Sequence, residues 1–545
     1  MTIRTAGISV RTRTVFRILM PKSGRRVSPV LWLAALFVSS AGLLTASASD
    51  ESTGRPNIVL IFADDLGWRD VGFQSDGIFL TPQIDRLATQ GMVFTDAYAA
   101  AGNCAPSRAC LLSGTYTPRH HVYAVGSTNR GPKNLMRLTP VPNRSGLNRN
   151  VVTIADALKS AGYATGHFGK WHLHGPDGSR PSEQGFDETY DSFGDGEVKE
   201  GSEGNKAGPP EDPKGVFTLT RKACDFMERQ VAAGKPFFCY LPHHAIHTPL
   251  QTTPETRKVQ EQRRQDGQPS AAYLGCTYDL DDSVGRLLRK LDDLGITDNT
   301  LVVFTSDNGA TPGSSQEPLR GNKGGYYEGG IREPFIVRWP GVVAAGSRCS
   351  VPVINVDLFP TFLAAAGMPV PEGVTLDGES LLPLMKQSGP LARKAVFWHF
   401  PGYLDQPVTR GRDPVFRTRP VTVIREDNWK LHLYHEEWFL DGGQAAVSDN
   451  NSVELYDLSN DIGERINMAE QHSDVRDRLI AGITTWWQST EAVLPAKPNP
   501  AFDPQAENTN GSVKKKRGKD APGRNSQRGK KNNMPRPRGD QPSDK

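Results

Sequence analysis

Cysteine is scarce in this chain. Its 545 residues hold six (Cys104, Cys110, Cys224, Cys239, Cys276 and Cys349), and none forms a C-x-x-C pair. That spacing argues against a thiolate zinc site. Six thiols would fit three disulfides in an oxidising compartment; if chemistry consumes one of them, at least one of the other five is left unpaired and buried. Long apolar runs are equally rare. One spans residues 30–44, follows Lys22, Arg25 and Arg26, and leads into Ala46-Ser47-Ala48. A small-x-small end of this kind marks a secretory cleavage site, so residues 1–48 read as a signal peptide and the protein as exported, whether periplasmic, cell-surface or secreted. The run is short for a membrane span and no later stretch is longer, so no transmembrane domain is expected after cleavage. An uncleaved anchor, a start at Met20 and twin-arginine export through Arg25-Arg26 stay open.

Acidic residues are missing from 1–48, which carry seven Lys/Arg, and nearly missing from 513–545, with twelve Lys/Arg against three acids. Taking these +7 and +9 ends from the net +4 leaves −12 for residues 49–512. An acidic body of this size excludes nucleic acid as its partner. The basic tail, residues 501–545, is almost devoid of apolar residues and is expected to be disordered, serving either as a tether to anionic polymers or as a dispensable extension. No internal repeat is visible.

Short apolar runs recur at 58–62, 164–168, 237–241, 301–304 and 335–337, with helical signals between them. This alternation predicts an α/β fold: a large mixed, mostly parallel sheet flanked by helices. Thr81-Pro82 and Gly91 bracket one helix, Thr153 and Gly162 another, and Leu280, Val284, Leu287, Leu288, Leu291 and Leu294 mark the packing stripe of a third. From about residue 395 the texture changes to alternating Trp/His-rich segments at 395–400, 429–434 and 454–458, followed by a helical stretch near 475–490. The expected organisation is therefore a catalytic domain over 54–395 and a smaller C-terminal subdomain over 396–500, with an antiparallel sheet and a helix.

Open α/β sheets bind ligands beyond the carboxyl ends of their strands. Four of the five runs end in chemistry: Asp64-Asp65, Lys170 with His172, His247, and Asp307-Asn308. The two acidic pairs offer only oxygen ligands, which suits calcium or magnesium rather than zinc. Cys104 precedes a helix expected over 107–113, so its side chain faces a positive helix end. Taken alone, Cys104 is a buried structural thiol.

Its context changes that reading. The segment Cys104-Ala105-Pro106-Ser107-Arg108 followed by Leu111-Leu112-Ser113-Gly114, the first strand with Asp64-Asp65-Leu66-Gly67, and Gly169-Lys170-Trp171-His172 resemble the type I sulfatases of the alkaline phosphatase superfamily. So do Gly185-Phe186-Asp187, His247-Thr248-Pro249, Ser306-Asp307-Asn308-Gly309, Leu319-Arg320-Gly321-Asn322-Lys323-Gly324 and Glu328-Gly329-Gly330-Ile331-Arg332. The matches run in order from Asn57 to Asn467. The resemblance implies that a formylglycine-generating enzyme reads C-x-P-S-R on the unfolded chain and converts Cys104 to an aldehyde whose hydrate is the nucleophile. It also implies a divalent cation, calcium with magnesium as the alternative, held by Asp64, Asp65, Asp307 and Asn308 and touching residue 104. Arg108 would brace the hydrate and the ligand carboxylates, while Lys170, His247 and Lys323 would bind sulfate. Asp307 would help a hydrate oxygen attack sulfur, His247 and Lys323 would support the departing alcohol, and His172 would take the proton that lets the aldehyde reform.

The substrate implied is a sulfated small molecule or, given the polar surround, a sulfated carbohydrate. Its identity is set by residues 122–150, 177–214 and 399–413. His243 and His244 read as solvated or structural, with a place in the substrate pocket as the alternative, His174 as a subsite residue, Trp171 as packing, and His121 stands where the family often has glycine. Two rival readings remain: a phosphate or phosphonate ester hydrolase of the same superfamily, and a non-catalytic sulfated-glycan-binding protein.

Overall fold

The computed structural model describes residues 54–176, 178–191, 208–408 and 410–506. The expected signal peptide and most of the basic tail lie outside these residues. Among them, no helix is long and apolar enough to cross a membrane.

The first strand, β1 (Asn57–Ala63), is buried at every position. Its alternate side chains enter two different cores, Ile58, Leu60 and Phe62 on one face and Val59, Ile61 and Ala63 on the other. An unbroken apolar run is what a strand covered on both faces requires. Seven further strands join it: β2 (Met92–Phe94), β3 (Ala164–Gly169), β4 (Glu188–Asp191), β5 (Phe237–Pro242), β6 (Thr300–Ser306), β7 (Ile336–Arg338) and β8 (Ser347–Cys349). The order is β4-β3-β5-β1-β6-β7-β2-β8, and only β7 runs against the rest. The expected mixed, mostly parallel sheet is present; β2, β4 and β8 were not foreseen, being short and only weakly patterned.

Helices α1 (Pro82–Gln90), α4 (Val216–Ala232) and α5 (Ala271–Asp293) cover one face; α2 (Cys104–Ser113) and α3 (Ile154–Ser160) cover the other. The Leu/Val stripe of α5 packs as expected, with Leu280, Val284, Leu287, Leu288 and Leu291 fully buried. Thr153 caps α3 through a capping box with Asp156. Thr81 does not cap α1 with its side chain. Its hydroxyl accepts from Gly72 N (2.6 Å), and Asp281 of α5 takes the free amides of Gln83 and Ile84 at 2.9 and 2.8 Å. The tertiary structure supplies an acceptor of higher charge and releases the local one.

A second, antiparallel sheet holds β9 (Ala395–Phe400), β10 (Val421–Glu426), β11 (Trp429–Tyr434) and β12 (Val453–Asp457) in that order, with α6 (Ser473–Ser489) packed on it through Leu479, Ile483, Trp486 and Trp487. The sequence reading missed β10, which turns at Asp427 (φ 51) into β11.

A buried ionic joint ties this sheet to the loop after residue 319. Lys430 Nζ on β11 lies 2.8 Å from Glu328 Oε1 and 2.9 Å from Glu464 Oε1, and Glu464 Oε2 accepts from the Glu328 amide at 2.6 Å. Arg332 and Tyr98 complete the shell of Glu328, each at 2.8 Å. Two carboxylates share one ammonium. Burial pushes Glu464 up to about 7; the attraction of Lys430, larger than the repulsion of Glu328, offsets only part of it. The folded state then holds a proton that the unfolded chain releases, so stability falls as pH rises from the ordinary glutamate range through about 7. Glu464→Gln is expected to flatten that part of the stability curve, measured as the urea midpoint from pH 5 to pH 8; an unchanged slope would contradict the assignment.

Candidate active site

The site grows from the register of three neighbouring parallel strands. Phe62 pairs with Pro242 and Ala63 with Ser306, so β1, β5 and β6 end level and deliver Asp64-Asp65, His243-His244 and Asp307-Asn308 side by side. Backbone bonds continue the alignment past the strands, from Asp307 N to Ala63 O (3.1 Å), His243 N to Phe62 O (2.9 Å) and Lys170 N to Pro242 O (2.8 Å). Gly169 (φ 143) makes the last of these possible, since a Cβ there would sit 1.9 Å from the Pro242 oxygen. Helix α2 closes the site. It starts at Cys104 itself, three residues earlier than expected, and all ten of its residues are buried.

Around Cys104, three carboxylates meet three cations one to one. Asp64 lies 2.7 Å from Lys170 Nζ, Asp65 2.6 Å from Lys323 Nζ, and Asp307 2.8 Å from Arg108 Nη2. Arg108 also donates through Nε to Asp307 (3.0 Å) and through Nη1 to the Lys170 carbonyl (2.8 Å), so each of its three nitrogens is bonded. Cys104 Sγ lies 3.1 Å from Lys323 Nζ and 3.5 Å from Asp64 Oδ1. Burial, then the charge of Asp307, pushes this thiol far above its ordinary value. As a plain cysteine, residue 104 is a poor nucleophile.

The residues fit a hard cation. Ligand atoms of Asp64, Asp65, Cys104 and Asp307 gather within 4.8 Å of one another. Asn308 donates through Nδ2 to Asp65 (2.7 Å), while its buried Oδ1 has no hydrogen-bond partner. A buried amide oxygen without a donor, beside three carboxylates, completes an all-oxygen ligand set. Burial works to raise both Asp64 and Asp307. On Asp64, Lys170 and the hydrogen bond from His244 outweigh it and hold the carboxyl well below its usual range; on Asp307, repulsion from Asp64 adds to burial and the carboxyl rises to about 7 despite Arg108.

His247 stands at the rim, with Nε2 3.9 Å from Asp65 and its side chain 23% exposed. His172, in a left-handed conformation (φ 63), is held well below its ordinary pKa by burial and then by Lys170 and Arg108. The structure thus brings Cys104, Arg108, Lys170, Lys323, Asp64, Asp65, Asp307 and Asn308 into one cluster, with His172 and His247 beside it.

His244 corrects the sequence reading. Its Nδ1 is 2.8 Å from Asp64 Oδ2 and its ring stacks on His247 at 4.8 Å, so it belongs to the site. The signal was its place in the same post-strand loop, three residues before His247. His243 is structural as expected, bonded to Ser283 (2.9 Å). Trp171 packs, with its indole N–H on the Ser179 carbonyl (2.6 Å). His121 adopts φ 60, which explains why glycine is easier there. All six cysteines are free thiols, so the structure contains none of the disulfides that six would allow.

A family model described as Sulfatase matches residues 56–368. The chain belongs to the sulfatase family. A second model, described as N-sulphoglucosamine sulphohydrolase, C-terminal, matches residues 322–486 of this sulfatase. Human arylsulfatase A is 34% identical over 470 residues, covering 78% of this chain and 86% of the relative. Mouse N-acetylgalactosamine-6-sulfatase is 31% identical, covering 85% and 91%. The crystal structure of Ps i-CgsB in complex with k-i-k-neocarrahexaose superposes with a TM-score of 0.64 at 29% identity, over 84% of this sulfatase and 97% of that chain. The protein is a sulfuric ester hydrolase.

Arg108→Met leaves Asp307 buried without its guanidinium. A loss of about 3–5 kcal/mol in unfolding free energy is expected, and added calcium should restore more stability to the variant than to the parent. Equal calcium shifts in both would show that Asp307 does not face the cation.

Proposed function

We propose that the protein hydrolyses sulfate esters of a carbohydrate, with Cys104 oxidised to formylglycine and a calcium or magnesium ion held by Asp64, Asp65, Asp307 and Asn308. The observation that carries this reading is the one-to-one pairing of carboxylates and cations around Cys104. With Asp307 ionised, as a bound cation would favour, three negative and three positive charges balance; a divalent ion among the carboxylates would leave the site positive by two, which suits an anionic ester. When bound, that ion polarises a sulfate oxygen and acidifies the hydroxyl at residue 104. The aldehyde hydrate supplies two geminal hydroxyls, one to attack and one to reform the carbonyl.

The other roles fall to the chain's own side chains. Arg108 fixes the Asp307 carboxylate, which accepts the proton of the attacking hydroxyl. Lys170, Lys323 and His247 hold the sulfate oxygens, and Lys323, the ammonium nearest Cys104 Sγ, together with His247 protonates the departing alcohol. His172, kept neutral by burial, takes the proton of the second hydroxyl so that the carbon–oxygen bond to sulfate breaks. His244 holds Asp64 through Nδ1. The carbohydrate assignment draws on the polar surround and on the likeness to Ps i-CgsB, whose structure contains a neocarrahexaose. We also propose export through residues 1–48, checked by whether the mature protein begins at Ser49.

Four measurements test the reading. The peptide bearing residue 104, purified from the native host, is expected about 18 Da lighter than its cysteine form; an intact thiol there would favour a glycan-binding protein. Chelation should abolish turnover, and calcium or magnesium should restore it. An aryl sulfate should be hydrolysed in preference to the matching aryl phosphate, the reverse overturning the assignment, and a panel of sulfated mono- and polysaccharides should identify the sugar by released sulfate.

A further inference from the structure

Residues 122–150 and 399–413, expected to set substrate identity, meet in the structure. Tyr403 N donates to Thr128 O (2.7 Å), Arg130 N to Tyr403 O (3.2 Å) and Leu138 N to the Tyr403 hydroxyl (2.9 Å). A short antiparallel pair, Leu404–Asp405 with Phe416–Thr418, lies against this seam. Its register pairs Leu404 with Thr418 and Asp405 with Phe416, so three residues oppose two and Arg417 is the extra one. This is a β-bulge, a device that re-aims a side chain and recurs next to active sites. Phe416 and Thr418 are buried, whereas Arg417 turns the other way, onto the loop that carries Lys323.

The Arg417 guanidinium donates through Nη1 to the Lys323 carbonyl (3.0 Å) and through Nε to the Gln406 carbonyl (3.2 Å), and its Nη2 is 3.5 Å from the Gln406 side-chain oxygen. Gly324 is required beneath it, since a Cβ there would lie 2.3 Å from Arg417 Cδ. Every one of these partners is neutral. Beside it, Arg130 takes the nearby carboxylate of Asp405 at 2.7 Å. Burial and then the like charge of Arg130 hold Arg417 below the ordinary arginine value. A half-buried guanidinium with no paired carboxylate is electrostatically incomplete, and an anion completes it.

We propose that Arg417, assisted by Arg130, forms a subsite for a second anionic group on the substrate, next to the sulfate held by Lys323. The sulfatase would then prefer a polyanionic glycan, the second anion being a further sulfate or a uronate carboxylate. This inference rests on the assignment of Lys323 to sulfate binding.

The test uses the full protein and three substrates: the monosulfated sugar turned over in the panel above, the same sugar with a second sulfate, and the same sugar linked to a uronate. Arg417→Ala is expected to lower kcat/KM by about ten- to a hundredfold, through KM, for at least one doubly charged substrate. For the monosulfated sugar the change should be less than about threefold, and Arg417→Lys should recover part of the loss. The substrate that responds names the source of the anion. Equal losses on all three substrates, or none on any, would overturn the subsite. Should the parent protein hydrolyse none of them, the sulfatase chemistry fails instead, and calorimetric titration of the same sugars into parent and Arg417→Ala protein judges the subsite alone.

Discussion

Everything at this site depends on packing three carboxylates against three cations in a place water does not reach. Asp64, Asp65 and Asp307 are each almost fully buried, and isolated buried carboxylates would take up protons. Lys170, Lys323 and Arg108 lie against them, one nearest each acid; Lys170 holds Asp64 ionised, whereas Arg108 offsets only part of the burial of Asp307. In the proposed reaction the same six charges would serve twice: the carboxylate oxygens would hold a divalent ion, and the cations would hold an anionic ester with the charge left over once that ion is in place. The pairing is thus a resting arrangement that makes both kinds of binding compatible with a folded, dry interior.

Strand register is what allows the pairing. The acids come from loops after β1 and β6, Lys170 from the loop after β3 and Arg108 from α2. Parallel strands that end level convert separations of more than two hundred residues, as between Asp65 and Asp307, into a hydrogen bond of 3.2 Å from backbone to carboxylate. That much was legible in sequence: apolar runs long enough to be double-faced strands, each followed at once by a polar pair, put the ligands on one edge. The C-x-P-S-R motif added residue 104. The register itself was not legible, because nothing in the runs at 58–62 and 301–304 says which residue faces which.

Residues without a periodic or motif signature were read poorly for the same reason. His244 belongs to the site because Asp64, 180 residues earlier, happens to lie 2.8 Å away; a histidine pair after a strand carries no sign of which member turns inward. Strand β10 was overlooked although it sits between β9 and β11, since a strand's place in a sheet depends on long-range pairing rather than on its own residues. Thr81 looked like a helix cap, and Asp281 took that role from another helix. In each case a tertiary partner outweighed the local preference.

The antiparallel sheet is more than an appendage to this chemistry. Lys430 reaches from β11 to Glu328, and Arg320 donates to the Tyr456 hydroxyl of β12 and to the Glu464 carbonyl, so the loop between 319 and 332 is held at both ends by the C-terminal part of the chain. Lys323 is the only one of the three paired cations on that loop, and at 13% side-chain exposure it is also the most accessible. A long, flexible ammonium would wander if its backbone were free. Fixing the loop from the second sheet sets where the Lys323 charge stands, so under the proposed reading that sheet would help position the cation that meets sulfate.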